Sequence, residues 1–164
     1  MKKKLIKDTT EHFEKQFQQK PEAIFLSPGR INIIGEHVDY NDGFVLPAAI
    51  NKYICFAISK NESDTCTIVA KDLNDAYTFN ISDELKPIDK MWVNYILGVL
   101  QQLKSKGFSS VGFDIVFSST IPMGAGLSSS AALECGIAYA MKEIFELDLT
   151  KEEIARIGQK AEHT

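Results

Sequence analysis

The sequence has little cysteine: three residues in 164, Cys55, Cys66 and Cys135. An odd number of thiols in apolar or strand-like surroundings argues against a disulfide framework or a cysteine metal site. They read as reduced core residues of a cytoplasmic protein. Positive charge is not in excess either, since 18 Lys and Arg stand against 22 Asp and Glu, a formal net charge of -4. A nucleic-acid partner would ask for the opposite balance. No apolar run is long enough to span a bilayer. The opening "MKKKLIKD" is basic, but no long apolar stretch follows it, so it is not read as a signal peptide. Internal repeats, low-complexity tracts and linkers are missing as well. What remains is a chain with 45% hydrophobic residues, enough for one soluble domain with a real core.

Periodicity divides that chain into elements. Leu5 to Phe17 sets apolar residues among charges in the manner of an amphipathic helix. From Ala23 the segments "AIFLS", "INIIG", "YICFAIS", "CTIVA" and "YTFNI" are rich in β-branched and aromatic residues and predict strands. Turn formers such as "SPG", "YNDG" and "KNESD" are expected to separate them. "MWVNYILGVLQQLKSKG" predicts a helix with Trp92, Ile96, Val99 and Leu103 on one stripe, and "VGFDIVFSS" a further strand. Two more helices follow, the second opened by Thr150 as N-cap with Glu153 completing a capping box. Strands first and helices later make an α+β domain. The closing "GQKAEHT" lies in a helical pattern with no stop signal, so the expectation is a piece of a longer protein.

Two stretches carry the chemistry. In "PGRINIIGEHVDYNDGFVLPAAI", residues 28–50, apolar and hydrogen-bonding residues alternate closely. A surface loop does not need the isoleucines, and a plain core strand does not tolerate Arg30, Asn32, Glu36, His37 and Asp39 unpaired. A polar pocket on a rigid apolar frame satisfies both. The second stretch, "IPMGAGLSSSAALE" at 121–134, runs from a strand end through two glycines into three serines at a helix start. Glycines let backbone N–H groups curl around an anion, and a helix start adds free donors and a positive dipole end. The serine hydroxyls can cap the helix, hold phosphate oxygens or ligate Mg2+. The plainer alternative is a Gly turn with Ser128 as an ordinary cap. It is not a Walker loop, because the Gly-Lys-Ser/Thr ending is absent.

Together the two stretches resemble the galactokinase branch of the GHMP kinase superfamily. "GRINIIGEHVDYNDG" is similar to the galactokinase signature, "PMGAGLSSSAALE" to the superfamily's nucleotide-phosphate loop, and "MWVNYILGV" and "AEH" to further galactokinase segments in the same order. The resemblance implies a fold like ribosomal protein S5 domain 2: a mixed or antiparallel sheet with helices on one face. It implies ATP-dependent phosphorylation of the C1 hydroxyl of galactose, with residues 1–164 as the N-terminal domain. By the same resemblance, Glu36, His37, Val38 and Asp39 bind the sugar, and Arg30 stabilises charge in the transfer. Gly124, Ala125, Gly126, Leu127, Ser128, Ser129 and Ser130 wrap the ATP phosphates, and Ser130 and Glu162 hold Mg2+.

Trp92 is hinted at as a border of the adenine site, though its helical spacing fits core packing better, and His12 reads as solvated. The family's catalytic aspartate and C-terminal domain have no counterpart among these residues, so the 164-residue chain alone is expected to be inactive. The alternative is a non-catalytic sensor of galactose or ATP, or an inert fragment. Galactose, N-acetylgalactosamine and arabinose remain open as the sugar.

Overall fold

The computed structural model describes residues 1–35, 44–109, 111–122 and 126–162. Its elements run in the order α1 (Lys2–Phe17), β1 (Ala23–Ile34), β2 (Leu46–Lys60), β3 (Thr65–Ala70), a 3-10 turn (Lys71–Leu73), β4 (Asp75–Asn80), α2 (Met91–Ser105), β5 (Phe113–Ser119), α3 (Ser129–Ile144) and α4 (Lys151–Ala161). The strands form one five-stranded sheet in the order β1-β2-β5-β3-β4. β3 and β5 are parallel, and every other pair is antiparallel. The sheet is therefore mixed.

The two-residue period of a strand decides what each face buries. Phe56, Ile58, Ile68, Ile115 and Phe117 turn to one side. There they pack with Ile96, Leu100 and Leu103 of α2, Ile137 and Met141 of α3, and Ile154 and Ile157 of α4. The intervening residues Ala57, Val116 and Val69 lie side by side across three strands and pack with Phe13 of α1, with Phe17 alongside. Three helices cover one face, as the resemblance implies; α1 takes the other. The central strands are apolar on both faces, so each face needs a cover, and the small residues Ala57, Val69 and Val116 leave room for the two phenylalanines.

The "SPG" stretch is not a turn. β1 runs straight through Pro28, with register shifts between Pro28 and Arg30 and between Asn32 and Ile34. Among the described residues β1 pairs only with β2, and an edge strand tolerates the missing N–H of a proline and the bends that such irregularities bring. Cys55 and Cys66 are buried and Cys135 half-buried, all three as free thiols. At α4 the expected box is present: Thr150 Oγ1 accepts from the Glu153 N–H at 3.2 Å, and the Thr150 N–H donates to Glu153 Oε2 at 2.9 Å. No helix among the described residues is long and apolar enough to cross a membrane.

Candidate active site

The two polar stretches meet at their backbones. The Arg30 N–H donates to the Leu127 carbonyl at 3.3 Å. Gly29 makes that approach possible. A Cβ there would stand 3.1 Å from the Leu127 oxygen and 3.2 Å from both Ile121 Cδ1 and Ile50 Cδ1, tighter than a side chain normally sits. The Arg30 side chain is exposed, and its positive charge is felt at the Cys135 thiol of α3. There it opposes the upward push of burial and of the Glu134 carboxyl. β1 thus lays the Arg30 backbone against the glycine–serine loop.

The loop's described part takes backbone conformations that a regular strand or helix does not. Gly126 has φ +67 with open space where a Cβ would go, a backbone state that favours glycine. Ser128 takes the left-handed conformation at φ 52, ψ 49, and its side chain makes no capping bond to α3. That answers the ordinary-cap alternative: Ser128 stands at the N-cap position without capping. The first-turn N–H groups of α3 have no acceptor within the helix and carry the positive end of its dipole.

Ser129 and Ser130 open onto a cavity of about 320 Å³ whose walls include Ile54, Trp92, Tyr95, Phe117, Ile121 and Leu133. Trp92 is half-buried and packs against the core from the cavity's edge; its Nε1 donates to Asp75 Oδ2 at 3.1 Å, and its ring lies 5.7 Å from that of Phe117. Asp72 also lines this cavity. It fixes the end of β5 by accepting from Ser118 Oγ at 2.8 Å and from the Ser119 N–H at 2.6 Å.

Ser130 and Glu162, 32 residues apart, touch directly: Ser130 Oγ donates to Glu162 Oε1 at 2.7 Å. Near them lies a group that sequence reasoning missed. Glu134 is 1% exposed, and among the described residues neither carboxyl oxygen has a hydrogen-bond partner. Burial, followed by the negative charge of Glu162, pushes its carboxyl up to about 8. Burial first, then Glu162 and Glu134, also raises the Tyr95 phenol. Among the described residues no cluster of three or more His, Cys, Asp or Glu is arranged for a metal ion. A hydroxyl, a carboxylate and a nearby orphaned carboxyl are nonetheless hard-oxygen donors, the kind Mg2+ takes when phosphates complete its shell. Glu36, His37, Val38, Asp39, Gly124 and Ala125 lie outside the described residues. His12, expected to be solvated, is half-buried, and burial followed by Lys71 and Lys15 lowers its imidazole.

Comparison with known proteins agrees with this geometry. Residues 94–164 match the family model of the GHMP kinases N terminal domain, and residues 11–60 match that of the galactokinase galactose-binding signature. The chain is thus similar to GHMP kinases over one stretch and to galactokinases over another. It is 42% identical over 154 residues to a galactokinase of Roseiflexus sp. (strain RS-1), covering 94% of this chain and 39% of the relative. To a galactokinase of Streptomyces coelicolor it is 40% identical, covering 93% and 40%. The crystal structure of Lactococcus lactis galactokinase complexed with galactose superposes with a TM-score of 0.86 at 33% identity, covering 94% of this chain and 41% of that one. Methanococcus jannaschii mevalonate kinase gives 0.74 at 27%, covering 85% and 45%. The chain spans about two fifths of the length of the curated relatives it matches.

Proposed function

We propose that these residues form the sugar- and nucleotide-binding part of a galactokinase, which transfers the terminal phosphoryl group of ATP to the C1 hydroxyl of galactose. The observation that carries this reading is the backbone bond from Arg30 to Leu127, which seats the signature strand against the glycine–serine loop beside an apolar cavity. In this reading residues 1–164 are one N-terminal domain, with the sugar signature at 28–50 and the phosphate loop at 121–134. The cytoplasm is its compartment, where free thiols persist.

Phosphoryl transfer asks a protein chiefly for positioning and charge stabilisation. Glu36, His37 and Asp39 offer directional acceptors and donors to sugar hydroxyls, and the Lactococcus lactis relative was crystallised with galactose. The loop from Gly124 to Ser130, with the free N–H groups of α3, holds phosphate oxygens. The cavity beside it takes the base, with the Trp92 ring as an aromatic wall. Arg30, always charged and forked, faces the oxygens on which charge develops. Ser130 and Glu162 would hold Mg2+, which supplies charge neutralisation across the phosphates when bound with ATP.

Loss of one carboxylate that bonds a sugar hydroxyl costs about 1–3 kcal/mol, or roughly one to two decades of affinity. Asp39→Ala in the complete gene product is therefore expected to weaken galactose binding by that amount in calorimetry, with ATP binding retained. Unaltered galactose affinity would refute the sugar site.

A further inference from the structure

The seam between α3 and α4 carries an unused carboxyl. Ser130 and Glu134 are four residues apart on α3, and Gly158 and Glu162 four apart at α4, so each pair shares a face of its helix. The faces meet closely because Gly158 has no side chain: a Cβ there would stand 3.5 Å from Glu134 Cβ and 3.1 Å from Cys135 Sγ. The hydrogen bond from Ser130 Oγ to Glu162 Oε1 closes one end of the seam at 2.7 Å. One turn further along α3, Glu134 is 1% exposed with both oxygens unpaired. Glutamate is almost never fully buried without a partner, because an unsatisfied charged group is among the costlier things a core can hold. The charge that acts on it comes from Glu162 and has the same sign. Two carboxyls that repel, one of them with no donor, are arranged to receive positive charge and the water that comes with it.

We infer that Glu134 is a second acidic group of the divalent-cation site formed by Ser130 and Glu162, accepting hydrogen bonds from the cation's water shell in the seam between α3 and α4. This rests on the reading of Ser130 and Glu162 as Mg2+ holders given above. Mg2+ dehydrates reluctantly and binds proteins through few carboxylates and several waters, so those waters need acceptors. Groups that receive such hydrogen bonds typically change metal affinity by about 10–100-fold when replaced.

The test is Mn2+ binding to the complete gene product by electron paramagnetic resonance, with a non-hydrolysable ATP analogue present. Glu134→Gln keeps shape and removes charge, and is expected to weaken Mn2+ by about 10–100-fold. Affinity for the analogue measured without metal stays unchanged, and so does folding by circular dichroism. Glu134→Asp keeps the charge and is expected to lose less. Mn2+ affinity equal to wild type in Glu134→Gln, or equal losses in the Gln and Asp variants, overturns the role of Glu134. If Glu162→Gln also binds Mn2+ as wild type does, the metal reading itself falls. A loss in Glu162→Gln with none in Glu134→Gln overturns this inference alone.

Discussion

Arg30→Ala in the complete gene product is expected to lower turnover by about 10²–10³, the usual cost of removing one group aimed at developing charge. Affinities for galactose and ATP are expected to change by only a few-fold. The structure explains why the effect should be this clean. The side chain is exposed, so no core contact is lost with it. The tie between strand and loop is made by the Arg30 backbone N–H, which alanine keeps. Arg30→Lys should recover part of the rate but not all, because an ammonium is a point charge and cannot fork onto two oxygens. Steady-state kinetics of the three proteins measures this. A turnover in Arg30→Ala within a few-fold of wild type would show that the guanidinium stands apart from the transfer.

The second large effect is on stability. In chelator-treated, metal-free protein, stability is expected to fall as pH rises from about 5 to 8, and Glu134→Gln is expected to remove most of that fall. Burial, helped by the charge of Glu162, raises the folded-state value of Glu134 from 4.5 to about 8. Between those two values the folded protein keeps a proton that the unfolded chain has released. Stability then declines with each pH unit until the folded carboxyl also ionises. The gap corresponds to roughly 3–5 kcal/mol, which in a chain of this size is on the order of 10 °C in melting temperature.

The charged and titratable groups around Glu134 are Glu162 at α4, Tyr95 on α2, Cys135 on its own helix, and Arg30, which acts on Cys135. His12 works in the opposite sense. Its folded-state value is lowered from 6.5, so it favours the folded state as pH rises through that region. The difference between wild type and Glu134→Gln isolates the carboxyl from it. Parallel pH–stability curves for the two proteins would mean that Glu134 finds a partner in solution.

What the sequence made legible was local or apolar. The Thr150–Glu153 box joins residues three apart and is found as expected. Of the stripe Trp92, Ile96, Val99 and Leu103, the last three are buried as its period requires and Trp92 is half-buried against the core. Periodicity does not say which face of a sheet a helix will cover, so the position of α1 opposite the other helices had to come from the structure. Nor does turn chemistry reveal an edge strand, which is why Pro28 and Gly29 read as a turn when they lie within β1.

In the site, the resemblance named Arg30, the serines and Glu162; the structure joins the Arg30 N–H to Leu127 and the Ser130 hydroxyl to Glu162. Glu134 did leave a signal, its four-residue spacing from Ser130 on one helix face, but an acid in a helical run reads as a solvated side chain until α4 covers it. Asp72 left none. Its partners Ser118 and Ser119 are 46 and 47 residues away, and no short motif spans that distance.

A galactose site and an ATP site are expected to face each other across the junction of Arg30 and Leu127. Phosphorus NMR of the complete gene product with galactose, ATP and Mg2+ tests it most directly. The expected spectrum gains ADP and a sugar phosphate esterified at C1 in equal amounts, with neither formed when galactose is omitted. A folded protein that binds ATP yet yields no sugar phosphate, or yields ADP and inorganic phosphate regardless of galactose, would contradict it.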